Sequence, residues 1–282
     1  MQKNYSMINY MTKKFLKDKI ALISFGIILF LVIVAVFAPI ICAHDPFKIN
    51  LEDKLQSPNK TYFFGTDEFG RDVFARMVYG TRISLRIGFI SMGIASIIGI
   101  IVGSLAGYFG GKTDMVIMRI IEIVMCFPTM FLLLALIAYL PQSINTIMVV
   151  IGITKWTGIA RLIRGEFIAL RDREFVMAAK TLGAGHSRII FRHILPNAIT
   201  PVLVSITFGI AGAILAESGL SFLGFGVPVP QPSWGNILAS GRENIDLAWW
   251  LMFFPGMAIF ITVTSYNLVG EALRDAFDPR QR

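Results

Sequence analysis

Charge is scarce in this sequence. Only 16% of its 282 residues are Asp, Glu, Lys or Arg, whereas 55% are hydrophobic and the mean hydropathy is +0.67. A soluble globular domain has about a quarter of its residues charged, so this shortage excludes an ordinary soluble fold. The composition instead indicates a chain that crosses a membrane several times.

Cysteine and histidine, which often hold metals, are almost missing. Cys42 and Cys126 lie far apart, without the spacings typical of a metal site or a disulfide framework. His186 and His193 are separated by seven positions and lack the i,i+4 spacing and partner carboxylate of a metal site. No Ser, His and Asp combination sits in a nucleophile motif. We therefore expect no metal site and no enzyme activity in this chain.

One stretch imitates a nucleotide-binding loop. AGYFGGKT, residues 106–113, matches a loose Walker A pattern. A phosphate-binding loop follows a strand and opens a helix, whereas this stretch ends a long apolar run. Its two adjacent glycines suit a helix stop and a tight turn, because glycine reaches left-handed backbone angles without strain. We predict that this chain binds no cofactor.

Long apolar runs are abundant. A helix needs about 20 residues to cross roughly 30 Å of hydrocarbon, and six runs approach or exceed that length. The first is longer than the apolar core of a secretory signal peptide, so it is interpreted as a span. The sequence therefore predicts an all-α polytopic membrane protein with six transmembrane helices at residues 20–41, 87–109, 115–140, 144–163, 198–219 and 247–270.

A few charged residues fall inside these runs. Lys155 and Arg161 would each cost about 2.5 to 3.5 kcal/mol at the bilayer centre, so we expect them near an interface or along a wet path. Arg119 and Glu122 are spaced to pair on one helix face. Glu217 lies near one end of the fifth run, where it either borders a path or is solvated.

The distribution of cations sets the expected orientation. Cytoplasmic loops carry an excess of Lys and Arg, and an even number of spans returns both termini to the same side. Both termini are therefore predicted to be cytoplasmic, although the charge-balanced loop after the first span argues weakly against this. The cations assigned to the cytoplasm are Lys3, Lys13, Lys14, Lys17, Lys19, Lys112, Arg164, Arg171, Arg173, Lys180, Arg188, Arg192, Arg274, Arg280 and Arg282.

A short polar segment, FVMAAKTLGAGHSRIIFRHILPN at residues 175–197, interrupts the apolar sequence. Phe175, Ala179 and Leu182 recur at helical spacing and predict one short helix with a narrow apolar stripe. Asp172 is placed to cap its start and Gly183 to stop it.

A second short helix is predicted to follow. Ser187 is placed to cap residues 188–195, and Pro196 then opens the fifth span. The result is a two-helix elbow on the cytoplasmic face. Physical reasoning alone leaves two uses open, a docking surface for a partner protein and an amphipathic helix that lies on anionic lipid.

The elbow resembles the EAA loop of ABC importer permeases, a pattern of Glu-Ala-Ala, three residues and Gly, then a stretch that ends in Leu-Pro. Ala178, Ala179, Gly183, Leu195 and Pro196 are in register. The resemblance implies a coupling helix that seats in a groove on a cytosolic ATPase. Met177 stands where the family has Glu, although a methionine side chain can also fill a groove. The implied contact residues are Arg173, Glu174, Phe175, Met177, Ala178, Ala179, Leu182 and Gly183.

Further stretches resemble the C-type permease of the peptide and nickel importer group. They are FGTDEFGRDVFARMVYGTRISL, ARLIRGEFIALRDREF, AESGLSFLGFGVPVPQPSWGNIL and LVGEALRDAFDPR, which together cover most of residues 64–280. Ala75 stands where that family often has Ser. The resemblance implies the type I ABC importer permease fold in a bacterial or archaeal cell membrane. It also implies a paralogous permease partner, two ATPase subunits that bind ATP and magnesium, and an extracytoplasmic substrate-binding protein.

Two further sets of residues are expected to act in such a transporter. Ionisable groups in or beside the spans are candidates for the translocation path, namely Arg86, Lys155 and Glu217. The loop around residues 67–76 and the Gly- and Pro-rich segment after Glu217 are candidates for binding-protein docking. Their representative residues are Asp67, Gly70, Arg71, Asp72 and Trp234.

The expected organisation has three parts. Residues 1–80 form an arm, the first span and an extracytoplasmic loop; residues 81–270 form the transporter domain with a coupling loop at about 171–197; and residues 271–282 form a tail. The expected function is half of an ATP-driven path for di- and oligopeptides. Nickel or a metal chelate is the alternative cargo. An ATP-independent channel or secondary transporter is the alternative class, although the two similar halves typical of the latter are not visible.

Overall fold

The computed structural model describes residues 14–277, and this part of the chain is helical with no β-strand. The predicted cations Lys3, Lys13, Arg280 and Arg282 lie outside the described residues. Short helical turns occupy Leu51–Asp53 and Ile189–Ile194, the second of them π-helical. The α-helices are α1 (Lys19–Ile41), α2 (Val73–Phe109), α3 (Gly111–Met125), α4 (Thr129–Tyr139), α5 (Ile144–Leu170), α6 (Glu174–Thr181), α7 (His186–Arg188), α8 (Leu195–Ala198), α9 (Thr200–Phe222), α10 (Trp234–Glu243) and α11 (Trp250–Phe277).

The six predicted spans correspond to five long helices and one bent pair. Helices α1, α2, α5, α9 and α11 are each long and apolar enough to cross a membrane, and α3 with α4 makes a sixth span if the pair is counted as one. Helix α1 exposes most of its large apolar side chains; Ile40, for example, is 79% exposed. Such a surface is suited to lipid rather than to water.

Three of the spans, α2, α5 and α11, are longer than predicted. Helix α5 continues to Leu170, beyond residue 163. Helix α2 begins at Val73 rather than at residue 87, because Asp72 caps it and accepts a hydrogen bond from the Phe74 N–H at 3.0 Å. Helix α11 continues to Phe277, beyond residue 270. The proposed divisions after residues 80 and 270 therefore fall inside helices, and the three-part organisation stays a prediction.

The ends of the spans lie on two faces of the bundle. The loop face carries residues 42–72 and 223–249, and the elbow face carries residues 171–199. Both ends of the described chain meet on the elbow face, where Lys14 Nζ donates to the carbonyl of Asp275 at 2.6 Å. An even number of crossings requires this arrangement; that the elbow face is cytoplasmic stays a prediction.

Helices α2 and α5 run parallel and in close contact along a stripe of small residues. Glycines recur every four positions on α2, at Gly99, Gly103 and Gly107. A Cβ on Gly99 would lie only 2.7 Å from Ile159 Cβ. Small residues at this spacing allow membrane helices to approach closely and to pack by van der Waals contact. The α2–α5 pair therefore forms a rigid centre for the bundle.

The third predicted span is not one continuous helix. Helices α3 and α4 meet at an angle of 84° across a short break, and Pro128 is the residue before α4. Proline cannot donate a backbone hydrogen bond and disfavours helical geometry in the residue before it. The span predicted at residues 115–140 is therefore present as a bent pair of helices.

The turn after α2 agrees with the sequence prediction, and the segment after α9 contains an additional helix. Gly110, in the Walker-like stretch, ends α2 with a backbone φ of +64°, so this stretch is the predicted turn. Helix α10 lies within the Gly- and Pro-rich segment that follows Glu217. Ser233 caps α10 through a reciprocal capping box with Asn236, and this pattern is the sequence signal for the start of the helix.

Candidate docking elbow and membrane crevice

Helix α6 carries most of the residues predicted to contact a partner. It begins after Arg173, whose side chain makes no capping bond, so the prediction of Asp172 as the N-cap is wrong. Its end is as predicted. Gly183 adopts a left-handed φ of +76°, and the next N–H, of Ala184, donates to the carbonyl of Ala179 at 3.0 Å.

The two faces of α6 differ from the predicted stripe. Val176 is fully buried and Ala179 is 7% exposed, and Val176 joins the apolar cluster that includes Ile189 and Ile190. Ala179 therefore faces this chain and not a partner, which corrects its assignment to the docking surface. The remaining predicted contact residues are all exposed: Arg173, Glu174, Phe175, Met177, Ala178, Leu182 and Gly183.

The second helical run of the elbow begins earlier than predicted. It starts at His186 with Gly185 as its N-cap, so Ser187 is not the cap. Pro196 lies in the first turn of α8, and Pro201 lies in the first turn of α9. Proline is tolerated there because the first N–H groups of a helix have no partner within it.

Side-chain contacts fasten the elbow to the end of α2. The Tyr108 hydroxyl lies 2.8 Å from His186 Nδ1, and Arg171 Nη1 donates to the carbonyl of Gly107 at 3.3 Å. His186 thus contacts an aromatic residue and not a metal-ligand set. Within residues 14–277, no group of three or more His, Cys, Asp or Glu side chains is placed to hold a metal ion.

The predicted docking residues of the loop face lie inside the fold. Asp67 accepts hydrogen bonds from Arg71, at 2.7 Å from Nε and 3.0 Å from the backbone N–H, and Arg76 Nε lies 3.4 Å from the same carboxylate. Burial raises the pKa of the neighbouring Glu68 carboxyl. All five predicted residues are buried: Asp67, Gly70, Arg71, Asp72 and Trp234.

These side chains therefore hold the loop together and do not face a partner. Trp234 shows this, since its indole Nε1 donates to the carbonyl of Met77 at 3.3 Å and its backbone N–H to Ser84 Oγ at 3.2 Å. A partner would meet exposed neighbours instead, such as Phe63 and Phe69, which are 66% and 39% exposed. Docking by this loop stays a prediction, with that correction to the residues.

A small polar cavity lies beside Asp72. His44 Nδ1 lies 2.9 Å from Asp72 Oδ2, which ties the end of α1 to the start of α2. Tyr62, across the cavity, donates its hydroxyl hydrogen bond to Asp53 at 2.8 Å. That bond raises the pKa of Tyr62 above its usual value, since ionisation would remove the donated proton.

The three predicted path residues lie in different surroundings. Arg86 is exposed on α2, and Lys155 is half-buried, with its Nζ 3.0 Å from the position of a Cβ on Gly212. Glu217 is 0% exposed, so the interpretation of a solvated carboxylate is wrong. Its Oε1 accepts hydrogen bonds from Ser233 at 2.7 Å and Ser221 at 2.8 Å. Glu217 thus joins α9 to the start of α10, and a path role for the three stays a prediction.

A crevice that the sequence did not reveal runs between α5 and the broken span. Three adjoining cavities of about 300, 360 and 100 Å³ follow it from the elbow face towards the break. Met118 and Glu122 line both the first and the second, and Met125 lines both the second and the third. Two features of the sequence indicate this crevice, namely Pro128 inside one apolar run and Arg161 inside the next.

Comparisons with known proteins agree over nearly the whole chain. The family described as "Binding-protein-dependent transport system inner membrane component" matches residues 99–282, and "N-terminal TM domain of oligopeptide transport permease C" matches residues 6–58. The chain is 41% identical to the dipeptide transport system permease protein DppC of Alkalihalophilus pseudofirmus, over 96% of this chain and 89% of that protein. It is 40% identical to the oligopeptide transport system permease protein OppC of Bacillus subtilis, over 95% and 88%.

The fold is also found in solved structures. The MetNI methionine ABC transporter in an inward-facing conformation matches with a TM-score of 0.56 at 19% identity, over 71% of this chain and 96% of that one. The predicted type I importer permease fold is therefore confirmed, and the apolar helices fit a multi-pass protein of the cell membrane. The chain is a transport component rather than an enzyme, and it belongs to the family of binding-protein-dependent transport system inner membrane components.

Proposed function

We propose that this chain is a permease subunit of an ATP-driven importer and forms half of a path for di- and oligopeptides. The observation that carries the proposal is the identity of about 40% to dipeptide and oligopeptide permeases along nearly the full length. These relatives favour peptides over the alternative cargo of nickel or a metal chelate.

The exposed face of α6 supports the use of an ATPase as the motor. Phe175, Met177 and Leu182 are 43%, 50% and 87% exposed, although they are apolar and lie outside the spans. Apolar side chains grouped on one exposed helix favour a protein partner. We infer that they seat in a groove on a cytosolic ATPase, and that ATP and magnesium bind there and not to this chain.

The proposed assembly has four kinds of subunit. This chain pairs with a paralogous permease, two ATPase subunits bind the elbows, and an extracytoplasmic binding protein delivers peptide at the loop face. When the ATPases close on ATP they move both elbows. Because the α2–α5 pair is closely packed, such a movement rocks the spans as a unit and does not bend them.

Reconstitution tests the proposal. The complete transporter in lipid vesicles should accumulate a labelled dipeptide or tetrapeptide only with ATP and the binding protein. Nickel complexes supplied in the same way should not accumulate. Accumulation of peptide by vesicles that contain this chain alone would contradict it and would favour a channel or secondary transporter.

A further inference from the structure

The break between α3 and α4 lies near the middle of the membrane. Helix α3 has 15 residues, a length of about 22 Å at 1.5 Å per residue, and it starts at the elbow face. The residues of α5 beside the break are Thr154 and Thr157, which lie near the centre of that 27-residue helix. Non-helical backbone at this depth is tolerated where it is buried in protein or lines a wet cavity.

The break presents the start of a helix to the end of the crevice. Helix α4 has 11 residues and no side-chain cap at Pro128, and the first backbone bond at its start joins the Leu132 N–H to the Pro128 carbonyl at 3.1 Å. The preceding N–H groups, of Thr129 to Phe131, have no partner within the helix by its geometry. Together with the helix dipole they favour a negative charge beside them.

A threonine whose hydroxyl has no hydrogen-bond partner lines the same small cavity. Thr157 is only 7% exposed, and with Thr129 it lines the cavity of about 100 Å³ at the break. Among the described residues, its hydroxyl makes no hydrogen bond. The hydroxyl of Thr154, one turn earlier, instead donates to the carbonyls of Val150 and Ile151 at 3.0 Å. Thr157 is therefore a largely buried residue whose hydroxyl a ligand can use as a hydrogen-bond donor.

A cation lies one turn further along α5. Arg161 is exposed, shares a helix face with Thr157 at i,i+4, and lines the adjoining cavity. The other charge in that cavity, Glu122, pairs with Arg119 at 2.9 Å. Arg161 has no ion-pair partner in the described part of the chain, so its charge is available to an anion.

We propose that the start of α4, Thr157 and Arg161 form a binding site for a carboxylate at the middle of the membrane. This inference rests on the proposed function, because the carboxylate assigned to it is the C-terminal carboxylate of the transported peptide. The small cavity has room for a carboxylate and too little for a phospholipid head group. Every unmodified peptide has this group, so the site recognises peptides irrespective of their side chains.

The first test compares two cargoes in the complete transporter. Uptake of a labelled tripeptide with a free C-terminus is measured against the same tripeptide with a C-terminal amide. Thr157→Val should lower the ratio of free-acid to amide uptake by about tenfold, the range for loss of a hydrogen bond to a charged group. Because the same binding protein serves every variant, its own preference cancels.

Two matched variants control this test. Thr157→Ser retains the hydroxyl and should preserve the ratio. Thr154→Val removes a hydroxyl that is already bonded within its helix and should also preserve it. An unchanged ratio in Thr157→Val, or an equal loss of uptake for both peptides, overturns the assignment.

The second test needs no transport and so separates this inference from the proposed function. The complete transporter carries Cys42→Ser, Cys126→Ser and Thr157→Cys, and the introduced thiol is treated with methanethiosulfonates that carry a sulfonate or an ammonium group. The ratio of the rate with the anionic reagent to the rate with the cationic reagent should be about fivefold higher than the same ratio for a small thiol in solution. The reason is that a local cation concentrates anions. Arg161→Gln should abolish that preference.

A preference at or below the solution value overturns the carboxylate site even if peptide uptake is normal. Conversely, failure of the unaltered transporter to import any peptide, with the anionic reagent still favoured, contradicts the proposed function and leaves an anion site in place.

Discussion

The guanidinium of Arg164 holds the carboxylate of Asp114 through two hydrogen bonds, from Nε to Oδ1 at 2.5 Å and from Nη2 to Oδ2 at 2.7 Å. Asp114 lies in the first turn of α3, and Arg164 lies near the end of α5, which leads directly into the elbow. The pair therefore connects the elbow to the broken span. We expect a movement of the elbow to be transmitted through it to the crevice.

Disruption of this connection should impair transport more than folding. Such a bidentate pair contributes about 1–3 kcal/mol. Arg164→Lys keeps the charge and loses the planar fork. We therefore expect peptide uptake to fall about fivefold, which corresponds to roughly 1 kcal/mol of coupling, while ATP hydrolysis continues. Lys54→Gln, which removes an exposed charge on the loop face, is the control and should change neither quantity.

Exchange of the two residues provides the rescue. Asp114→Arg combined with Arg164→Asp restores opposite charges and should recover part of the uptake lost in either single variant. If each single variant transports normally, the connection has no part in coupling.

The exposed face of α6 is the second point at which function can be tested. Leu182 is 87% exposed, so Leu182→Asp should leave the amount of folded protein unchanged and prevent co-purification of the ATPase. Ala179→Asp should instead reduce the amount of folded protein, because an unpaired buried carboxylate costs several kcal/mol. Lys54→Asp, on the loop face, controls for added negative charge. Normal ATPase binding by Leu182→Asp would contradict the docking surface.

The sequence predicted the elements of this fold better than it predicted which side chains face outward. Apolar run length is sufficient for spans such as α1, since a membrane helix has to bury about 20 residues in hydrocarbon. The predicted stripe of Phe175, Ala179 and Leu182 is wrong at Ala179, which is buried. Helix α6 packs against the helical run that contains Ile189 and Ile190, and the local sequence around α6 does not show that contact. Val176 packs with that run, and no pattern in the sequence marks it as the buried residue of α6.

The loop face shows a second reason why the exposure of side chains is hard to predict from sequence. Charged residues such as Asp67 and Arg71 suggest a solvated surface, and they are instead buried as mutual partners. Their pairing depends on the turn at Gly70 and on the approach of Arg76, which only the folded loop brings together. The crevice was missed for a similar reason, because the 84° bend follows from packing as well as from Pro128.

The buried carboxylate of Glu217 predicts a structural effect on the loop face. Ser233 donates to Glu217 and also caps α10, so Ser233→Ala removes two bonds and should lower the free energy of unfolding by about 1–3 kcal/mol. Glu217→Gln retains the acceptor oxygen and should cost less than Glu217→Ala. Melting temperatures of the purified protein provide the measurement. Equal effects of the two Glu217 variants would show that these bonds do not stabilise α10.

The close packing of α2 against α5 predicts that the effect of replacing a glycine with alanine depends on its position. Gly99→Ala introduces a methyl group into the backbone of α5 and should destabilise the protein by about 1–3 kcal/mol through overpacking. Gly93→Ala and Gly158→Ala are matched controls, since a Cβ there meets nothing within 4 Å and alanine favours helix. Thermal unfolding compares the three. A similar melting temperature for Gly99→Ala and the controls would mean that the two helices are not in close contact.

We expect the thiols of Cys42, at the end of α1, and Cys126, at the break, to differ in reactivity. Burial, together with the charge of Asp72, raises the pKa of Cys42 to about 11. Only the thiolate reacts, so with Cys126→Ser the rate of maleimide labelling should rise about tenfold per pH unit from pH 7 to pH 9. A rate that levels off below pH 9 would contradict this environment, because it would mean that the thiol ionises at its ordinary pKa.

Cys126 reports on water in the crevice. Its side chain is exposed and lines the second cavity, at a depth where a lipid-facing thiol is out of reach of a charged reagent. In a Cys42→Ser protein held in vesicles, a membrane-impermeant maleimide should label Cys126 from the elbow face, and excess peptide cargo should slow the reaction. Labelling that needs detergent would place Cys126 against lipid, and the crevice would then be no part of the path.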